Sequence, residues 1–142
     1  MAEILSFRDL EAWKAAMNLV LAAYEVALQL PSSERFELSA QIRRAAVSVP
    51  SNIAEGQACG PGGRYRHHVR IAIGSLAELD TQLEIVARLG LATAESCRAA
   101  AEHVAQTGRL LHGLSRALWR RLAVNSLAFA GFCLGCPALL LS

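Results

Sequence analysis

Gln41-Ile-Arg-Arg-Ala-Ala-Val-Ser-Val-Pro-Ser-Asn-Ile-Ala-Glu-Gly56 is the stretch on which the fold turns. Ile42, Ala45, Ala46, Val49 and Ile53 recur at the spacing that puts side chains on one face of an α-helix. Arg44, Ser48, Asn52 and Glu55 keep to a second face, so the helix carries a polar stripe beside its apolar one. Pro50 lies inside this pattern, where it deletes a helical hydrogen bond and crowds the preceding turn. A kink or a break follows, and a kink is expected because Ile53 and Ala54 resume the apolar face. Upstream, Glu34 and Glu37 suit the first turn of this helix, where the dipole favours anions, and Phe36 and Leu38 extend its buried face. Gly56 reads as its C-terminal stop.

The same periodicity extends in both directions. A first helix is expected from Ser6, an N-cap with Asp9 three residues on, to Pro31, with Leu10, Trp13, Met17, Val20, Leu21, Tyr24 and Leu28 as its inward stripe. Gly60-Pro61-Gly62-Gly63 is a loop. A third helix follows from about Arg64 to Leu89, burying Val69, Ile73, Leu76, Leu79, Leu83 and Val86, with Gly74 and Ser75 allowing a close helix approach. Leu89-Gly90-Leu91 ends it, and Thr93 caps a fourth helix carrying Val104, Leu111, Leu114, Leu118 and Leu122. Short connections favour antiparallel neighbours. The expectation is an all-α, up-down-up-down four-helix bundle over residues 1–123, its second helix kinked near Pro50, with an apolar C-terminal tail over 124–142.

Composition agrees with helices: of 142 residues, 54% are apolar and only 6% aromatic, so Leu, Ala, Ile and Val must build the core. The net charge of +2 does not by itself imply a polyanionic partner. Its distribution is uneven, because no acid follows Glu102 while Arg109, Arg116, Arg120 and Arg121 do. Lys14 is the only lysine; every other basic side chain is an arginine, whose fork suits phosphate and carboxylate. Isolated Cys59 and Cys97 and an N-terminus without an apolar secretory run point to reduced thiols and a cytoplasmic setting. From Leu122 to Leu141 no residue is charged, and Trp119, Arg120 and Arg121 precede that run as interfacial anchors would. A membrane anchor is one reading. Asn125, Ser126, Gly131, Gly135 and Pro137 dilute the run, and a tail that folds over an apolar groove or packs between subunits is the other.

Few constellations suggest chemistry. Cys133-Leu-Gly-Cys136 is a CxxC without a second pair of ligands, so no metal and no cofactor is expected. Adjacent His67 and His68 point about 100° apart on a helix and do not chelate one ion easily. Together with Arg64, Arg66 and Arg70 they form a basic patch beside a glycine-rich loop, a surface that phosphate would suit. On the fourth helix Arg98, Arg109, His112, Arg116 and Arg120 line one side and are the better candidates for nucleic-acid backbone contacts, although no aromatic residue interleaves with them. Ser75, Glu78 and Gln82 form a stripe on the third helix that matches the Arg44–Glu55 stripe of the second. Were the two to face each other, Arg43 or Arg44 would pair with Glu78 in a structural polar network that includes Asn52, Glu55 and Gln82. No nucleophile, base or pocket accompanies these groups, so no enzyme is expected.

Phe7-Arg-Asp-Leu-Glu-Ala-Trp13, Glu34-Arg-Phe36, the Gln41–Gly56 segment and Gly74-Ser-Leu-Ala-Glu-Leu-Asp-Thr-Gln-Leu83 occur in this order. Over Phe7 to Leu122 the sequence closely resembles the bacterial four-helix-bundle proteins encoded in intervening sequences of large-subunit ribosomal RNA genes. The resemblance implies an up-down bundle that assembles as a homopentamer. It also brings in the related accessory proteins of diversity-generating retroelements, which bind nucleic acid through a basic surface. The family's ribosomal label reflects gene location and implies no biochemical role. The Gly60–Gly63 loop and the tail beyond Leu122 depart from the family pattern. A non-enzymatic homo-oligomer that binds RNA or DNA through arginines is therefore expected; the alternative is a structural or protein-interaction module, with attachment to a membrane through its tail as one version of it.

Overall fold

In a computed structural model of the chain, the backbone is described from Ser6 to Cys133 and side chains from Ser6 to Arg121. These residues form four α-helices and no strand: α1 (Glu11–Gln29), α2 (Leu38–Ala58), α3 (Gly63–Leu89) and α4 (Ala94–Cys133). Each helix packs against its neighbours in sequence, and α1 also packs against α4, closing a four-membered ring around one core. Cys136 and the end of the apolar tail lie outside the described residues. Among those described, no helix is long and apolar enough to cross a membrane.

The expected start of the first helix is corrected. Ser6 does cap, but it caps a single 3-10 turn, Phe7–Asp9: the Arg8 amide donates to its Oγ at 3.2 Å, and its own amide donates to Asp9 Oδ2 at 2.9 Å. Leu10 is extended, and α1 begins after it. The inward face of α1 also differs. Ala12, Ala15, Ala16, Leu19, Ala23, Val26 and Ala27 are buried, whereas Leu21 and Leu28 are 67% and 72% exposed, with Met17 and Tyr24 exposed beside them. Alanines and large apolar residues both recur at helical spacing here. The alanine face wins the core because small side chains let the flanking helices approach closely.

In α2 the expected face is buried at Ile42, Ala45, Ala46, Val49 and Ile53, but Phe36 precedes the helix and is 82% exposed. Helix α2 runs without interruption through the buried Pro50 and beyond Gly56 to Ala58. Gly56 is therefore not a stop. A Cβ there would lie 2.7 Å from Tyr65 Cδ2 and 3.0 Å from His68 Cβ, so its role is to let α3 pass close by. Gly74, expected at a close approach, is exposed and has nothing within 4 Å of a built Cβ. Pro31 leaves a gap that the fold fills: it has no N–H for the carbonyl of Ala27, and the buried Ser39 hydroxyl donates to that oxygen at 3.1 Å. At the other junctions Gly90 caps α3 in the left-handed region at φ 64°, and the Ser96 amide donates to Thr93 Oγ1 at 3.3 Å. Gln29 Oε1 accepts from the Thr93 amide at 2.8 Å, tying the end of α1 to the start of α4.

Candidate nucleic-acid interface

One end of the bundle gathers the start of α1, the end of α2, the start of α3 and the later turns of α4. Leu10, Gln57, Tyr65, Leu118 and Arg121 line a single cavity of about 380 Å³ there. Tyr65 and Val69 pack on Leu118 in a small apolar cluster that fixes the register of α3 against α4. Burial pushes the Tyr65 phenol up from its ordinary pKa, and the nearby Arg121 guanidinium draws it part of the way back.

This anchoring sets two groups of arginines side by side. Arg64 and Arg70 of α3 and Arg116, Arg120 and Arg121 of α4 are exposed. Arg66 folds across to α4, its guanidinium carbon 3.4 Å from the centre of the Trp119 ring, and its buried Nε has no hydrogen-bond partner. The indole remains 55% exposed. With Arg8 and Lys14 at the start of α1, this end carries eight basic side chains against three acids, Asp9, Glu11 and Glu55. The opposite end holds seven acids, Glu25, Glu34, Glu37, Asp80, Glu84, Glu95 and Glu102, against Arg35, Arg88 and Arg98. The bundle is therefore electrically polar along its length, with its positive end built from two neighbouring helices.

The candidate residues of α4 do not form one patch. Arg98 lies at the far end and pairs with Glu102 at 2.6 Å. From Arg98 to Arg120 the helix rises about 33 Å, so Arg98 belongs to a different region from Arg116 and Arg120. Arg109 is exposed at mid-height, where neighbouring Gly108 faces Leu76.

The polar stripes of α2 and α3 do meet, since Ser48 Oγ and Ser75 Oγ are 2.8 Å apart. The expected Arg43 or Arg44 pairing with Glu78 does not form among the described residues. Arg43 lies over the Tyr24 ring at 5.5 Å, and Arg44 and Glu78 are both exposed, where an ion pair gains little. Glu78 accepts instead from Gln82 Nε2 at 3.0 Å. The network closes nearer the basic end: Asn52 Nδ2 donates to the Ser48 carbonyl at 2.9 Å, and His68 Nδ1 lies 3.1 Å from Asn52 Oδ1 and 3.4 Å from Glu55 Oε2. His68 thus belongs to the polar network rather than to the basic surface. Trp119, expected as an interfacial anchor ahead of the tail, instead stands among the arginines of this surface. Its position three residues after Arg116 was the available signal.

The family model of the 23S rRNA-intervening sequence protein matches residues 8–113 of the chain. The chain belongs to this family. Among solved structures, the intervening-sequence chain resembles a protein of unknown function from the S23 ribosomal protein family of Bacteroides thetaiotaomicron, at 19% identity and a TM-score of 0.67. The likeness covers 74% of this chain and 95% of that one, and at this identity it speaks for the fold alone. No curated protein matches. The family match ends before Arg116 and Trp119, so the α4 half of the basic end lies beyond it.

Proposed function

We propose that this intervening-sequence protein is a cytoplasmic, non-enzymatic homo-oligomer that binds the phosphate backbone of RNA or DNA through its basic end. The observation that carries the reading is the segregation of charge, with Arg64, Arg66, Arg70, Arg116 and Arg120 on adjoining turns of two helices locked together by Tyr65, Val69 and Leu118. The guanidinium fork suits phosphate oxygens, and each phosphate neutralised releases condensed counterions.

Self-assembly is supported at a separate place. Trp13, Met17, Val20, Val47, Pro50, Ser51 and Ala54 line an open, apolar groove of about 280 Å³ between α1 and α2. It continues along α1 into exposed Leu21, Tyr24 and Leu28. A monomer leaves this stripe in water, whereas a second copy seated on it would bury the stripe, as the pentameric assembly implied by the family resemblance requires. The two surfaces are distinct, so assembly leaves the basic ends free and multiplies them.

The test is binding of the full chain to labelled ribosomal RNA and duplex DNA fragments across a salt series, with the assembly mass recorded in parallel. Five phosphate contacts give a slope of log affinity against log salt of roughly −3.5 on single strands to −4.5 on duplex. An oligomer that binds neither polymer at low salt overturns the reading.

A further inference from the structure

We infer that Trp119 and Arg66 form a base-stacking platform, and that the basic end accordingly selects single-stranded over duplex nucleic acid. The inference rests on the phosphate-binding reading above and adds the kind of strand that is held. The Trp119 indole is 55% exposed on a turn shared with Arg116 and Arg120. Arg66 reaches from α3 and lays its guanidinium over one face of the ring at 3.4 Å, a cation–π contact that joins the two helices. Among the described residues the buried Arg66 Nε makes no hydrogen bond.

An exposed indole with the Arg66 guanidinium stacked on one face, and Arg116 and Arg120 beside it, presents two complementary features to a polynucleotide: a flat stacked pair against which an unpaired base can lie, and cations for the phosphates on either side of it. Duplex satisfies only the second, because its bases are already stacked on one another. Base stacking and phosphodiester charge are common to RNA and DNA, so both kinds of strand fit. Among the described residues Trp13 is the other tryptophan, and it packs edge-on against Phe7 at 5.3 Å, far less available to a ligand.

The experiment titrates the full-length protein with oligouridylate, oligothymidylate and a duplex of equal charge, reading anisotropy, and reading the Trp119 fluorescence as the difference between the parent and Trp119→Phe. Tighter binding of the single strands with quenching of Trp119, and a loss of about 5- to 150-fold on Trp119→Ala for single strands only, is the expected result. Trp119→Phe should restore most of the loss, because the phenyl ring still stacks. Equal affinity for duplex and single strand, or a Trp119→Ala protein that loses both alike, overturns the platform and leaves phosphate binding standing. An absence of binding to all three polymers at low salt overturns both inferences. Preference for oligouridylate over oligothymidylate, or the reverse, with the Trp119 dependence retained, supports the platform and identifies the strand it holds.

Discussion

Replacing Gly56 by alanine should destabilise the bundle, although the same replacement in most helices does the opposite. Gly56 lies within α2, where exchanging glycine for alanine ordinarily gains about 1 kcal/mol by restricting the unfolded chain and favouring helix. Here the added methyl would sit 2.7 Å from Tyr65 Cδ2 and 3.0 Å from His68 Cβ. The Tyr65 ring is 8% exposed and wedged against Val69 and Leu118, and the His68 Cβ is one bond from the α3 backbone, so neither neighbour can swing aside cheaply. Overpacking of this kind costs about 1–3 kcal/mol, and with both neighbours fixed the upper part of that range applies, which leaves a net loss of up to about 2 kcal/mol after the helix gain. Gly74→Ala is the control: it is on the solvent side of α3 with nothing within 4 Å of the new methyl, and should gain most of that 1 kcal/mol. Thermal unfolding by circular dichroism at one fixed protein concentration should place the two variants on opposite sides of the parent, separated by about 5–10 °C. A Gly56→Ala protein as stable as Gly74→Ala would refute the close contact between α2 and α3 that positions the basic end.

Ser39→Ala should cost about 1–2 kcal/mol in chemical denaturation, because it strands the Ala27 carbonyl that Pro31 leaves without a helical donor. Ser39→Thr, which retains the hydroxyl, should recover part of that loss. The phenol of Tyr65 is held protonated by burial, so its contribution to stability is complete below pH 10 and drains away as the pH rises through its raised folded value. Unfolding midpoints measured between pH 9 and 11.5 should fall less steeply in Tyr65→Phe than in the parent. Leu21→Glu, at a position 67% exposed in the single chain, should leave the helical signal intact and reduce the assembly mass measured by light scattering. An unchanged mass would remove the α1 stripe from the subunit interface.

The helices were legible because their buried faces repeat over five or more turns, and Ile42 to Ile53 shows why: each apolar position there has one face to occupy. The rotation of α1 was not legible. Its alanines and its large side chains are both periodic, and only the closeness of α2 and α4 decides which set faces the core. Ser6 and Asp9 spelled a genuine capping box, but a box does not state whether three residues or twenty follow it. Gly56 looked like a helix end because glycine serves both as terminator and as contact point, and the contact, Tyr65, lies beyond the intervening loop. At the candidate site, the arginines were legible as a stripe on α4 and a patch on α3. Their union at one end, the separation of Arg98, and the Arg66–Trp119 contact all depend on the register between α3 and α4, which no local pattern encodes. The Arg43 or Arg44 pairing with Glu78 failed for the same reason, because matching stripes fix which faces meet and not which side chains touch.

Charge reversal at the basic end tests the central claim most directly. The Arg64→Glu, Arg116→Glu double variant reverses one cation on each of the two helices that build it, and an Arg88→Glu, Arg98→Glu double variant makes the same double reversal at the far end. Affinity for labelled ribosomal RNA should be measured for all three proteins between 50 and 300 mM salt, with assembly mass checked for each. The basic-end variant should bind at least tenfold more weakly at 100 mM salt, with a salt slope shallower by about two, while the far-end variant binds as the parent does and all three assemble alike. Equal losses in the two variants, or no loss in either, would contradict a nucleic-acid interface at the end of the bundle where α3 begins.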